Sequence, residues 1–371
     1  MKFMPIANRA VTTGSGTLAS VFTIISLLPS PVLAAQPSVI EHVLVYKETG
    51  RYGGWPANHG IWNWGNEILC GFSAAYYLKK SPNVHQYDSS KPEEPRLARS
   101  LDGGHTWAIE SPPSLLPPSQ GGKAAVPITN PIDFQTPGFA MTLRFTDTNK
   151  GPSLLFYSYD RGKSWQGPFD FPLLGQTGIA ARTDYIVNGK HDAFVFLTAA
   201  KSNGKEGRPF CARTTDGGLH WNLVSWMADE PPGFAIMPST VRLSPDRLIS
   251  AMRIHEGDKD WIDLFESHDN AGTWKYLTRP ITSTGGHGGN PPSMIRLKDG
   301  RICVTYGFRS EPYEIRAKLS SDEGKTWSND IVLDNGATWE VGYTRTAQRP
   351  DGKIVSLYYA SQAIAATIWD P

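Results

Sequence analysis

One eight-residue pattern recurs five times along this chain, and it limits the fold more than any other feature. The copies run Ser100 to Trp107 (SLDGGHTW), Ser158 to Trp165 (SYDRGKSW), Thr214 to Trp221 (TTDGGLHW), Ser267 to Trp274 (SHDNAGTW) and Ser320 to Trp327 (SSDEGKTW). Their aspartates, Asp102, Asp160, Asp216, Asp269 and Asp322, stand 53 to 58 residues apart. Two copies depart from the pattern: His220 replaces a hydroxyl residue and Ala271 replaces a glycine. An aspartate at this place can accept backbone N–H bonds and close a tight turn. The glycine supplies a positive φ, and the tryptophan buries a large ring against a neighbour. Five copies at one period describe repeated units of about four strands, stacked side by side.

Such an array closes on itself when its edges are removed, so the expected fold is all-β, a six-bladed β-propeller of four-stranded antiparallel blades. The spacing gives five blades with a turn of this kind. A strand read at Val39 to Tyr46 and two more at Tyr343 to Ala347 and Lys353 to Tyr359 supply the sixth. The N- and C-terminal strands would share that blade and close the ring.

Composition excludes several classes of function. The formal net charge is +1, so no broad basic face is available for nucleic acid. Three cysteines, Cys70, Cys211 and Cys303, make a disulfide framework unexpected, and no sequence motif implies a metal or cofactor. Lys2 and Arg9, the apolar run Ala19 to Leu28 and the small-residue site before Ala35 read as a signal peptide over 1–34. That stretch is too short to remain as a membrane anchor. The mature propeller would then span 35–371, outside the cell or in a periplasm, with its oligomeric state undetermined.

The repeats resemble the Asp-boxes of the sialidase (BNR-repeat) propellers, over nearly all of the mature chain. In that family the box joins the third and fourth strands of a blade and has a structural role, which implies that these five aspartates are not catalysts. The family's active site has a tyrosine nucleophile, an assisting glutamate, an acid/base aspartate and three arginines that clamp a sugar carboxylate. The run Val341-Gly342-Tyr343-Thr344-Arg345 and the strand ending at Tyr359 resemble the nucleophile motif, which implies Tyr343 as nucleophile. Arg345 is an addition to the motif, and Tyr359 replaces its final glutamate. Arg253 matches the second arginine, and Arg309 or Arg316 the third. The first arginine is missing from Tyr52-Gly53-Gly54-Trp55-Pro56, and no carboxylate occupies Ile236 to Ser239, where the assisting glutamate belongs. The loop before the first box offers His85 and Asp88 for the acid/base.

Four segments combine polar groups with turns and begin inner strands: Asn58 to Glu67, Ala181 to Tyr185, Gly286 to Pro292, and Trp339 to Arg345. They are expected to meet at one mouth of the central channel. The candidate catalytic residues are Tyr343, Asp184, Glu340, His59 and His287. The candidate substrate-binding residues are Arg182, Arg253, Arg309, Arg316, Arg345, Asn290 and Trp62. Guanidinium groups grouped in this way suit a carboxylate ligand. Each also has a plainer structural reading, as a salt-bridged arginine, a bonded loop histidine or a core tryptophan. The reading drawn here is an exported sialidase-like exo-glycosidase acting on sialic-acid-like or other acidic glycans. A polysaccharide lyase or uronate-linked glycosidase using His59 or His287 with Tyr343 is one alternative. A non-catalytic carbohydrate-binding propeller is another.

Overall fold

The computed structural model describes residues 10, 12, 14 and 36–371 except 337, so nearly all of the expected signal peptide, 1–34, lies outside the described residues. Residues Pro37–Pro371 form one compact unit. Six antiparallel sheets follow one another along it. Blade 1 holds Glu67–Tyr76, Glu94–Ser100 and Ala108–Glu110, with two short strands, Arg51–Gly54 and Ile61–Trp64, sharing its inner position. Blade 2 holds Ala140–Phe145, Ser153–Ser158 and Gln166–Phe171, and its outer edge gains a single parallel bridge from Val126 to Phe169. Blade 3 repeats the divided inner position with Ile179–Ala180 and Tyr185–Gly189, followed by Asp192–Ala200, Glu206–Thr214 and Asn222–Trp226. Blade 4 is Phe234–Arg242, Leu248–Glu256, Lys259–Ser267 and Lys275–Ile281. Blade 5 is Ser293–Arg296, Ile302–Phe308, Glu314–Ser320 and Ile331–Asn335.

Blade 6 closes the ring. Val341–Gln348, Ile354–Ala360 and Ala363–Asp370 are joined at the outer edge by Ser38–Tyr46, which pairs antiparallel with the last strand. The expected sharing of one blade by the two ends of the propeller is found. It also explains five boxes in six blades: where the other blades have a box before their outermost strand, blade 6 has the two ends of the propeller.

The middle strands are buried on both faces and read as continuous apolar runs, as in Glu67–Tyr76. The outer strands are half solvated, as in Lys275–Ile281. The boxes join third to fourth strands in blades 1, 3, 4 and 5, and second to third in blade 2, which has three strands among the described residues. In the first, Asp102 Oδ1 accepts the N–H of Thr106 at 3.0 Å and Oδ2 accepts its hydroxyl at 2.6 Å. Ser100 Oγ receives the Gly104 N–H at 2.7 Å. In the third, His220 keeps the geometry by placing Nδ1 2.7 Å from Asp216 Oδ2.

Each box tryptophan packs on the preceding blade. Trp165 meets Trp62 of blade 1, with ring centroids 5.5 Å apart, Trp221 meets Phe171 of blade 2 at 5.3 Å, and Trp274 meets Phe196 of blade 3 at 6.2 Å. Trp327 joins the cluster of Ile249 and Leu264 in blade 4, and Trp107 joins that of Val355 and Leu357 in blade 6. The motif that shapes a turn therefore also binds one blade to the next.

Two outcomes follow for stability. Ala271 holds φ 69°, a left-handed conformation that costs a residue with a Cβ roughly 1 kcal/mol. Ala271→Gly is expected to raise the thermal midpoint by a few degrees, read by differential scanning calorimetry; an unchanged or lower midpoint would show that the strain is absent. Burial pushes the Asp102 carboxyl up, but the Thr106, Ser100 and His105 bonds outweigh this and hold it at about 2. Asp322, bonded chiefly by Thr326, is also held at about 2. A depressed carboxyl stabilises the fold above its unfolded pKa, and that contribution fades as pH falls through the folded value. The urea midpoint should therefore drop between about pH 4 and pH 2, and the drop should shrink in Asp102→Asn.

Candidate functional site

The inner strands of blades 4 and 6 each carry a bulge, and each bulge sets one residue in the left-handed region. Register slips between Ile236 and Ser239 and between Gly342 and Arg345. Met237 takes φ 54° and Tyr343 takes φ 51°. A bulge re-aims a side chain out of strand alternation, and such strain concentrates at functional positions. Both residues join one small cluster with Ala57 and Ile236. Met237 thus lies where the resemblance would put an assisting glutamate, and an uncharged thioether stands there.

Asn290 holds the Tyr343 bulge. It is fully buried, its Oδ1 accepts the Tyr343 N–H at 3.2 Å, and its Nδ2 donates to Val341 O at 3.2 Å. A Cβ on Gly342 would lie 2.0 Å from Asn290 Oδ1, so the close approach requires glycine. Asn290 was expected to bind substrate; both of the bonds made by its amide position the Tyr343 segment.

Two arginines flank the tyrosine. Arg253 Nη1 donates to the Tyr343 hydroxyl at 3.2 Å, and its Nε donates to Gly288 O at 2.7 Å. Arg309 donates to Gly289 O at 2.8 Å and to the Tyr359 hydroxyl at 2.6 Å, with its guanidinium 5.5 Å from the Tyr343 ring centroid. Both are buried, and neither has a carboxylate partner among the described residues. The two carbonyls that hold them are adjacent in the loop 285–289, where all five residues have positive φ. That demand explains the run Gly-Gly-His-Gly-Gly. Burial pushes the Tyr343 phenol up, but the charges of Arg253, Arg309 and Arg182 outweigh it and hold the phenol below its usual range.

A histidine completes the group. His85 Nδ1 lies 3.2 Å from the Tyr52 hydroxyl and 3.6 Å from Glu340 Oε1. Its ring packs on Trp339 at 4.9 Å and Trp55 at 5.4 Å. Its Nε2 makes no hydrogen bond among the described residues. Burial, opposed by Glu340 and aided by Arg309, holds the imidazole below its usual pKa, so it is a neutral base at pH 7. Glu340 is 5% exposed and also accepts the Gln86 N–H at 2.8 Å, so it orients His85 and does not itself face outward. His287 stands at the exposed rim, 6.0 Å from Trp339. Beyond the helix Pro56–His59, Glu93 shares a groove with Ser73, and burial pushes its carboxyl up against bonds from Ser73 and Tyr87.

The remaining candidates make their direct contacts away from the Tyr343 hydroxyl, although the charge of Arg182 still acts on it. Arg182 is paired with Glu206, and Arg316 with Glu314 and Asp330. Arg309, not Arg316, takes the blade 5 place. Arg345 donates to Thr183 O at 2.7 Å, one inward-facing position along the strand from Tyr343. With Asp184, Trp62 and Trp64 it lines a cavity of about 350 Å³ on the side of the box turns, where Asn63 bonds Gln348 O. Burial, opposed by Arg345, pushes the Asp184 carboxyl up to about 7. Trp62 is 6% exposed and packs in the core. His59 is buried with Nε2 2.9 Å from Ser73 Oγ, and burial together with Arg144 keeps it neutral. The inner strands traverse the whole channel, so residues two apart face the same lumen at different depths.

Sequence reasoning missed Tyr359, Trp339, Tyr52 and Glu93 and left His85 unresolved. Tyr359 stands where the resemblance expected the supporting glutamate, and Tyr52 begins the segment Tyr52 to Pro56 that lacks the expected arginine. The paired loss of those two was the available signal that an aromatic wall had replaced an ion pair.

Comparison with known proteins agrees with the architecture. The BNR repeat-like domain family matches residues 182–355. No curated protein matches by sequence. A protein of unknown function from Dyadobacter fermentans has a similar structure, with TM-score 0.67 and 19% identity over 90% of this chain and 99% of that one. The Hadza microbial sialidase Hz136 gives 0.61 at 16% identity, with 85% of this chain covered and 65% of the sialidase. An α-L-arabinanase of Penicillium chrysogenum complexed with arabinobiose gives 0.60 at 15% identity, over 90% of this chain and 98% of that one. The chain thus has the six-bladed propeller fold of these glycosidases, and its family match is consistent with the sialidase-like superfamily.

If the arginines hold the phenol down, removing one must release it. Arg253→Met is expected to raise the Tyr343 pKa relative to the parent, read from ¹³C-tyrosine NMR titrations of both proteins. An unmoved resonance would refute the coupling.

Proposed function

We propose that this protein is an exported carbohydrate-active enzyme that cleaves an acidic glycan, by glycoside hydrolysis at Tyr343. The observation that carries this reading is the pair of buried arginines, Arg253 and Arg309, beside Tyr343 without a carboxylate to balance them. Burying a charge without a partner is costly, and an anionic ligand supplies the missing partner. Guanidinium groups bind a sugar carboxylate and place the adjoining anomeric carbon before the phenol. The same charges favour the phenolate, which takes over the part that an assisting glutamate would play.

In the hydrolytic cycle the Tyr343 oxygen bonds to the anomeric carbon as the glycosidic C–O bond breaks. The leaving oxygen takes a proton, in this reading from Glu93 in the wall beyond helix Pro56–His59, whose carboxyl is pushed up by burial. Water, deprotonated at His85 Nε2, then displaces Tyr343 and releases the sugar. Glu340 and Tyr52 keep Nδ1 protonated and the ring oriented.

A second reading has its own support. The lowered phenol and the neutral His85 are both bases, and no carboxylate bonds the Tyr343 hydroxyl. That set suits a polysaccharide lyase, in which a base removes the proton beside the uronate carboxylate and the glycosidic C–O bond breaks to leave a C=C bond. The charge pattern of the N-terminus, Lys2 and Arg9 before an apolar run, supports export for either reading.

Incubation with fluorogenic sialosides and a panel of uronate polysaccharides separates the readings. Free sugar without new ultraviolet absorbance indicates hydrolysis, and new absorbance indicates elimination. Folded Tyr343→Phe should lose about 10²–10⁴-fold in turnover, measured on whichever substrate reacts. Undiminished turnover would remove Tyr343 from the mechanism.

A further inference from the structure

A groove of about 630 Å³ runs between blades 1 and 2, beside the centre just described. Its floor is apolar, with Leu154 and Phe156 of blade 2. Its blade 1 wall carries Asn58, His59 and Glu93. Sugars need this mixture, an apolar face for the ring and directed polar groups for its hydroxyls.

Arg144 sets the chemistry of the groove. It is half-buried, its guanidinium lies 5.6 Å from the Phe156 ring centroid, and its Nε and Nη2 have no hydrogen-bond partner among the described residues. No carboxylate pairs with it there, although Asp170 lines the same groove. Burial brings its pKa down to about 10, which still leaves it charged at neutral pH. Arg99 of blade 1 contrasts with it, being locked between Glu67 and Glu110. An unpaired guanidinium facing a groove is costly to the fold unless something outside the chain satisfies it.

The groove also adjoins the Tyr343 centre. Helix Pro56–His59 separates them: Ala57 packs with Met237 and Tyr343, while the next two residues line the groove. Asn58 Oδ1 accepts from Arg182 Nε at 3.2 Å, and Arg182 is one of the charges that hold the Tyr343 phenol down. A glycan with one sugar at Tyr343 therefore has this groove as the next place for its chain to lie.

We infer that the groove between blades 1 and 2 is a second sugar subsite, which binds an acidic sugar unit through its anionic group on Arg144. The substrate class is then a glycan with anionic groups on neighbouring units, not one with a single acidic end. This position rests on the reading of Tyr343 as the cleavage centre. The anion site at Arg144 does not.

The test uses full-length Tyr343→Phe protein and isothermal titration with tetrasaccharides. The panel holds uronate tetrasaccharides, sulfated galactan tetrasaccharides and the carboxyl-reduced or desulfated form of each. Charged tetrasaccharides of one class should bind, which names the anion as carboxylate or sulfate, and the neutral forms should bind far more weakly. Adding Arg144→Gln should weaken the charged ligand by about 10- to 100-fold and leave the neutral one unchanged. The thermal midpoint of Arg144→Gln should equal or exceed that of the parent, because an unpaired buried charge is removed. Failure of every charged tetrasaccharide to bind, or equal binding by Arg144→Gln, would overturn the inference. If Arg144→Gln weakens binding while Arg253→Gln does not, the anion site stands and the Tyr343 reading falls.

Discussion

The ring depends on the burial of one tryptophan per box against the blade before it. An isolated four-stranded blade leaves both broad faces open to water, so it cannot be stable alone. The aspartate fixes the turn, the turn aims the indole, and the indole covers the neighbouring sheet. Trp165 on Trp62 and Trp221 on Phe171 repeat the same contact one blade apart. Five of the six seams are closed in this way, and at the seam of blades 5 and 6 Trp369 of the last strand packs with Cys303, Ile315 and Ala317 instead, so stability is shared around the circle. The inner strands are then held at a fixed separation, and that gives the site its rigidity.

The fold was legible because its determinants are local. The turn chemistry of each box lies within eight residues, the boxes recur 53 to 58 residues apart, and Ala271 and His220 preserve the geometry despite their chemistry. The site was less legible because it depends on depth along the channel. Tyr343 and Arg345 are two residues apart and face one lumen, yet one meets Arg253 while the other meets Thr183. Sequence marks both as inward-facing and cannot say at which level. Nor could it separate Arg309 from Arg316: whether a guanidinium is free depends on Glu314, which sits two residues from Arg316 and takes it out of the centre. The bulges at Met237 and Tyr343 were also invisible, since both strands are buried along most of their length and offer no alternation for a one-residue slip to disturb.

Charge organises the upper end of the channel. Arg253 and Arg309 are held by the carbonyls of Gly288 and Gly289, not by acids. Neutral acceptors position the two groups without cancelling their charge, so the positive potential remains available to a ligand. Tyr359 and Tyr52 continue the same logic, with hydroxyls and ring faces where an ion pair could have been. The outcome is a centre that is positive, aromatic and poor in carboxylates, a different balance from the two-acid sites of most glycosidases.

The closure of blade 6 also makes one ladder answer for the whole circle. Ser38–Tyr46 pairs with Ala363–Asp370 from one end of the compact unit to the other. The entropy of bringing distant segments together grows only slowly with the length between them, so this closure costs little more than a shorter one. Without it the array is an open arc with two raw edges. Deleting Ala363–Asp370 would therefore strand the partner segment at the opposite end of the sequence.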